Sequence, residues 1–157
     1  MSKILRLIFH PNKLLRQKSQ KIWNVSDATI QSLISDMIET MRRNNGIGLA
    51  APQVGILKRL IVVGIKDDPF VIINPEIFWR SKETEVGEEG CLSIPGVFGQ
   101  VKRSKEIKVK GILPSGKKTK LKAEGLFARV IQHEIDHLDG ILFIDKMIKR
   151  ATSNGLL

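Results

Sequence analysis

Gln132-His133-Glu134-Ile135-Asp136-His137-Leu138-Asp139-Gly140 sets two histidines one helical turn apart, with a glutamate beside the first, the pattern H-E-x-x-H. At about 100° per residue His133 and His137 lie about 40° apart on one face of a helix. Leu126 and Val130 share that face. Glu134 lies to one side of it, over the stripe with Phe127, while Arg129, Gln132, Asp136 and Asp139 fall on the far side. The spacing predicts a helix from about Gly125 to Leu138, stopped by Gly140. Both histidines then point inward, and from adjacent turns both imidazoles can reach a single ion at about 2.0–2.1 Å. Glu134 becomes a carboxylate on a mostly apolar face, beside such an ion without needing to bind it.

Outward from this helix the chain alternates in texture. Ile30, Leu33, Ile34, Met37, Ile38 and Met41 recur at three- and four-residue steps and predict a helix from about Asp27 to Asn44, with Ser26 as N-cap and Asn44-Asn45-Gly46 as the stop. Gly46 to Gly55 is too rich in glycine and proline for a regular helix. Leu60 to Ile65 and Phe70 to Ile73 read as short buried strands joined by a turn at Asp67-Asp68-Pro69, and Ile77 to Val86 as a weaker one. Glu106 to Ile112 alternates charged and apolar residues. After a turn at Pro114-Ser115-Gly116, Lys117 to Ala123 returns as the second arm of a hairpin, its lysines guarding an exposed edge. Met147 and Ile148 suggest a brief packed final turn. Strands between two helices, in an antiparallel-looking order and without repeats or linkers, give an α+β single domain over residues 1–157.

The bulk composition narrows the class. The 157 residues are 42% hydrophobic and 27% charged, a balance that supports one substantial core. No apolar run approaches the roughly 20 residues of a membrane span, and the N-terminus lacks the apolar block of a secretory signal. A cytoplasmic protein is expected. The lone cysteine, Cys91, excludes an intrachain disulfide and suits a reducing compartment. The net charge of +10 favours polyanions, RNA included, but the positive residues are scattered along the chain and no RNA-binding motif with interleaved aromatics is present.

A catalytic site of the H-E-x-x-H kind wants a third protein ligand and one open position. A histidine six residues beyond the second would be one solution, but that position is Phe143. A downstream glutamate would be another, but none follows Glu134. Asp145 has no supporting pattern, and His10 stands in a plain His-Pro turn. Cys91, in Glu88-Glu89-Gly90-Cys91-Leu92-Ser93, is the strong upstream candidate, a thiolate donor on a glycine-flanked loop. A His₂Cys set with an open position is chemically coherent.

Three segments, in order, resemble the three motifs of the peptide deformylase family. Gly46-Ile47-Gly48-Leu49-Ala50-Ala51-Pro52-Gln53 is similar to G-x-G-L-A-A-x-Q, Glu89-Gly90-Cys91-Leu92-Ser93 to E-G-C-L-S, and Gln132 to Gly140 to Q-H-E-x-D-H-L-x-G. The resemblance implies that Cys91, His133 and His137 hold one divalent metal ion, Fe²⁺ by family habit, with nickel, cobalt or zinc able to replace it. Ligand softness alone would suggest zinc. It further implies that metal-bound water attacks the formyl carbon of an N-formylmethionyl peptide, with Glu134 as general base and then acid. The Leu92 backbone N–H and the Gln53 amide would donate to the developing oxyanion. Formate and a free methionine amine are the products. Ile47 and Gly48 would pair with the peptide backbone like an added strand. Glu89, Leu126 and Val130, with Ile47, would line the methionine pocket.

Two features depart from the family pattern. Phe98 stands where some relatives carry a basic residue, and the tail after Gly140 is short, though Lys146, Lys149 and Arg150 could still serve a transient ribosome contact through the basic surface. No DNA or membrane partner is implied. The sequence also admits a metallopeptidase cutting internal peptide bonds, and a basic RNA- or ribosome-binding module with a purely structural metal.

Overall fold

A computed structural model of the chain describes residues 1–65, 67–148, 151–152 and 155–156. Its order is helix α1 (Ala28–Arg43), strands β1 (Gly48–Ala50), β2 (Leu60–Val63), β3 (Phe70–Arg80), β4 (Thr84–Cys91), β5 (Ile94–Ser104), β6 (Glu106–Ile112) and β7 (Lys118–Glu124), helix α2 (Gly125–Leu138), then the two-residue strands β8 (Ala151–Thr152) and β9 (Gly155–Leu156). All paired strands are antiparallel: a five-stranded sheet in the order β1-β2-β3-β6-β7, the hairpin β4-β5, and β8-β9. The fold is α+β, with antiparallel sheets about the H-E-x-x-H helix, as the sequence predicts.

Strand alternation explains how one sheet serves two helices. Ile61, Val63 and Ile72 turn one way and pack with Val130, Ile131, Ile135 and Leu138 of α2. Leu60, Val62, Val71 and Ile73 turn the other way and pack with Ile30, Ile34, Met37 and Met41 of α1. That is why Leu60-Ile61-Val62-Val63 reads as an unbroken apolar run: the strand is buried on both faces. The β4-β5 hairpin covers the other side of α2. A third cluster beneath it joins Leu15, Ile94, Val101, Leu142 and Phe143.

Several local expectations are corrected. Asp27, not Ser26, caps α1: its carboxylate accepts from the Thr29 backbone at 2.8 Å, while Ser26 Oγ donates to Asn24 Oδ1. The charged acceptor one residue on fits the first-turn N–H groups and the helix dipole. Phe70 to Ile73 and the first part of Ile77 to Val86 are one strand, continuing through Asn74 (φ +53°) and Pro75 with two register shifts, and the chain then turns before β4. Met147 and Ile148 form no turn; they lie along β5, with the Ile148 N–H donating to Gln100 O at 2.8 Å. Lys146 pairs with Asp136 at 3.0 Å, and Lys149 and Arg150 lie outside the described residues. No helix among the described residues is long and apolar enough to cross a membrane.

Candidate metal centre and cavity

The two histidines sit in the last two turns of α2, where Gly125 and Gly140, both at positive φ, bracket the helix. Gly140 approaches the Arg16 carbonyl so closely that a side chain there would strike backbone. The helix end is therefore pinned, and with it His137, which is 1% exposed. Cys91 is the last residue of β4 rather than a loop residue. Two residues after Glu89, it shares that residue's helix-facing side, so its sulfur lies 3.3 Å from His137 Nε2.

One donor atom each from Cys91, His133 and His137 lie within 4.8 Å of one another. Three electron-rich atoms so close repel unless a proton or a cation stands among them. The surroundings show the same demand. Burial lowers the proton affinity of His133, yet Glu134, the Cys91 sulfur and Glu89 outweigh it and push its pKa up to about 10. His137 goes well below the ordinary value, by burial and then by the charges of His133 and Arg103. Glu134 Oε1 and His137 Nδ1 are buried without hydrogen-bond partners among the described residues. The donor set and the unspent polar capacity fit a divalent cation. His10 is exposed and stands outside the cluster.

Glu89 carries the outer support. Its Oε1 accepts from His133 Nδ1 at 2.9 Å and from Arg103 Nη2 at 2.9 Å; Oε2 accepts from Arg103 Nε at 2.9 Å and Arg129 Nη1 at 2.7 Å. Burial would raise its pKa, but Arg103 and His133 together hold it far below the usual carboxylate range. A carboxylate on the second ring nitrogen fixes the imidazole's tautomer and aims the other nitrogen at the cluster. Arg103 also binds Asp136. Gln132 reaches the backbone of Ser104 with both amide atoms, at 3.2 and 2.9 Å. Thus Arg129, Gln132 and Asp136, on the supposed far side of the helix, are hidden under the β4-β5 hairpin. Sequence reasoning missed Arg103. Its signal was present: in a strand whose Val101 points inward, residue 103 points inward too.

A cavity of about 630 Å³ opens beside the cluster. Its lining includes Ile47, Gly48, Gln53, Glu89, Cys91, Leu92, Leu126, Val130, His133 and Glu134; His137 lies behind the wall. Leu126 is half exposed at its rim and Val130 is buried. Gln53 is oriented by its neighbours: Oε1 accepts from the Ala50 N–H at 2.9 Å, which leaves Nε2 aimed at Ser93 Oγ (3.2 Å) and Cys91 Sγ (3.5 Å). Glu134 is 4% exposed, and burial, then the nearby carboxylates against the opposing His133 and Arg103, raises its pKa to about 7. Gly48, on the edge strand β1, presses so near that a Cβ would lie 2.5 Å from Glu134 Oε2.

The chain's relatives agree with this architecture. The family model described as polypeptide deformylase matches residues 4–153. Peptide deformylase 1 of Clostridium perfringens is 51% identical over 144 residues, covering 90% of this chain and 97% of that one. The crystal structure of peptide deformylase from Thermotoga maritima superposes with a TM-score of 0.90 at 43% identity, over 92% of this chain and 98% of its own. A class I type b peptide deformylase from Acinetobacter baumannii, solved with Met-Ala-Ser bound, gives 0.90 at 36% identity over 94% and 100%. With sequence and backbone aligned along nearly the full length, the chain belongs to the polypeptide deformylase family.

Proposed function

We propose that the cavity receives the N-formylmethionine end of a nascent polypeptide and that the chain hydrolyses its formyl amide to formate and a free amine. Membership of the family makes the chain a hydrolase acting on formyl-Met peptides; the residue roles are the reading that the geometry supports. The observation that carries it is a buried carboxylate, Glu134, beside a Cys91-His133-His137 donor set in a cavity walled by an edge strand.

Cys91, His133 and His137 would hold one divalent ion, ferrous iron by family resemblance, with nickel, cobalt or zinc as substitutes. When bound, it would polarise the formyl oxygen and lower the pKa of water. Glu134, with a proton affinity near neutrality, takes a proton from the attacking water and returns it to the leaving amine nitrogen. Gln53 Nε2, fixed by the Ala50 bond, and the Leu92 N–H donate to the oxygen where negative charge develops. One such donor is worth roughly 3–4 kcal/mol. The substrate backbone adds to the free side of β1 at Ile47 and Gly48, while Leu126 and Val130 shape the apolar pocket for methionine. Glu89, although it lines the cavity, acts behind His133: it holds the imidazole and neutralises Arg103. The cytoplasm, where formylated chains are made, is the matching compartment.

Formate release from formyl-Met-Ala-Ser by anaerobically purified, iron-loaded protein tests the reading. Rapid release is expected, with none from the unformylated peptide. Cleavage of internal peptide bonds instead would replace it with the metallopeptidase reading.

A further inference from the structure

The fold gathers lysines that the sequence scatters. β6 and β7 turn Lys108, Lys110, Lys118, Lys120 and Lys122 outward on one face. Lys108 stands directly opposite Lys122, and Lys110 opposite Lys120. Like charges in such cross-strand pairs work against the sheet, and guarding the edge strand β7 accounts for its own lysines but not for Lys108 and Lys110 on the interior strand β6. Glu76 and Glu106 reach Lys110 and Lys122 at 3.9 and 3.4 Å; Lys108, Lys118 and Lys120 have no carboxylate partner among the described residues.

Aromatic rings share the face. The register shift between Ile77 and Trp79 makes Phe78 an extra residue, so two successive aromatics stay exposed where regular alternation would bury one. Lys120 Nζ lies 5.8 Å from the Phe78 ring and Lys108 Nζ 5.1 Å from the Trp79 ring. Beside them a cleft of about 1110 Å³ is lined by Lys18, Lys21, Trp23, Lys110, Lys118 and Lys120. Trp23 is 88% exposed. None of the residues lining this cleft lines the catalytic cavity.

We propose that this lysine and aromatic face of β3, β6 and β7, together with the Lys18–Trp23 cleft, binds single-stranded RNA. Phosphates meet the lysines, and unpaired bases stack on flat rings left in solvent, as they do on other sheet platforms. A duplex offers no free base faces for those rings, and a lipid headgroup has none. The choice of RNA over DNA rests on the proposed function, whose nascent-chain substrate is made on an RNA template.

The chain's only two tryptophans, Trp23 and Trp79, both lie on this face, so intrinsic fluorescence reports on it alone. Titrating the metal-loaded protein with a short oligouridylate should quench that fluorescence saturably. Affinity should fall steeply with salt, and the combined Lys110→Gln, Lys118→Gln, Lys120→Gln variant should reduce the salt slope by about 2. Trp23→Ala should weaken binding roughly tenfold, read by anisotropy of a labelled strand. Formate release from formyl-Met-Ala-Ser and the thermal midpoint should be unchanged in the lysine variant. Its loss of catalysis or fold would overturn a separate site. So would an equal loss of binding when Lys3, Lys13 and Lys102 are neutralised instead, which would reduce the effect to net charge. Tighter binding to single-stranded DNA, to duplex RNA or to phosphatidylserine vesicles would also overturn it. Quenching by RNA in a protein that releases no formate would leave this site standing and remove the deformylase reading.

Discussion

Gly48→Ala tests the placement of Glu134 most directly, with turnover number read apart from substrate binding. Gly48 has an ordinary backbone conformation, so alanine adds no backbone strain. Its new Cβ would sit 2.5 Å from Glu134 Oε2 and 2.7 Å from Val130 Cγ1. Ordinary contact begins at 3.4 Å, so the carboxylate, the end of a flexible side chain, must retreat by about 0.9 Å, and the stiffer Val130 methyl by about 0.7 Å. A misplacement of about 1 Å at a reacting group costs on the order of 10²-fold, or about 2.7 kcal/mol of transition-state stabilisation. The expected outcome is a kcat for formyl-Met-Ala-Ser lowered about 100-fold, with bound metal near one per chain and a thermal midpoint within a few degrees of wild type. Anaerobic formate release, metal analysis and calorimetry read the three quantities. A kcat within about threefold of wild type would refute the claim that Glu134 must stand where Gly48 lets it stand. So would a loss of turnover that merely tracks lost metal.

Four further outcomes follow from the same geometry. Glu134→Ala should lower turnover by about 10²–10⁴-fold while metal content stays at wild type, because the carboxylate moves protons and does not hold the ion; metal loss in proportion to activity would make it a ligand. Glu89→Ala strips Arg103, only 4% exposed, of its bidentate partner and frees His133. Breaking such a buried pair costs about 3 kcal/mol or more, a fall in Tm of about 6–12 °C for a domain of this size; a change under about 2 °C would be incompatible with it. Removing the metal with a chelator should abolish formate release and lower the Tm, since the ion binds only the folded donor set, and an unchanged Tm would count against the site. Arg16 hydrogen-bonds Asp145 and, outweighing a small opposing effect of burial, holds its pKa below the usual value. Because the folded value is depressed, the stabilisation is complete above the unfolded carboxylate's value near 4 and is lost as the pH falls through the folded value. Asp145→Asn should therefore flatten the acid limb of stability by less than about 1 kcal/mol, both side chains being more than a third exposed; superimposable pH profiles would refute the pairing.

Elements whose period is fixed by burial against one neighbour were legible in the sequence. Helix α2 begins and ends where the H-E-x-x-H stripe and Gly140 put it, and β6 with β7 follow their alternation closely. The β4-β5 hairpin was not legible. Val86 and Phe98 are exposed, Arg103 is buried, and Gly87, Gly90, Gly96 and Gly99 interrupt any period. Its inner face is polar where it covers the polar back of α2, so beside Ile94 and Val101 the strands bury ion pairs where a pattern search looks for aliphatics. The same inversion hid the support of His133. Glu89 and Arg103 are 14 residues apart; the hairpin joins their strands with Arg103 opposite Glu85, and the long guanidinium side chain reaches along the face to Glu89. Spacing along the chain marks ligands that share a helix; it does not mark partners that a hairpin folds together.

That difference bears on why the motif needs its hairpin. H-E-x-x-H alone would give a helix with two inward imidazoles, free to rotate and to protonate. The β4-β5 hairpin adds both missing constraints from one strand: Cys91 at its end as the third donor, and Glu89 two residues earlier as the acceptor on His133 Nδ1. In a regular strand residues 89 and 91 share a face and stand about 7 Å apart, close to the rise of about 6 Å between His133 and His137 on the helix. That spacing lets Glu89 back the first histidine while Cys91 faces the second, and the register shift puts its extra residues, 95–98, on β5. Deleting Gly90 would make Glu89 and Cys91 successive strand positions that face opposite ways, and should leave the core aliphatics in place and abolish metal binding. A deletion variant that still bound one ion per chain would show that the spacing from Glu89 to Cys91 does not set the site.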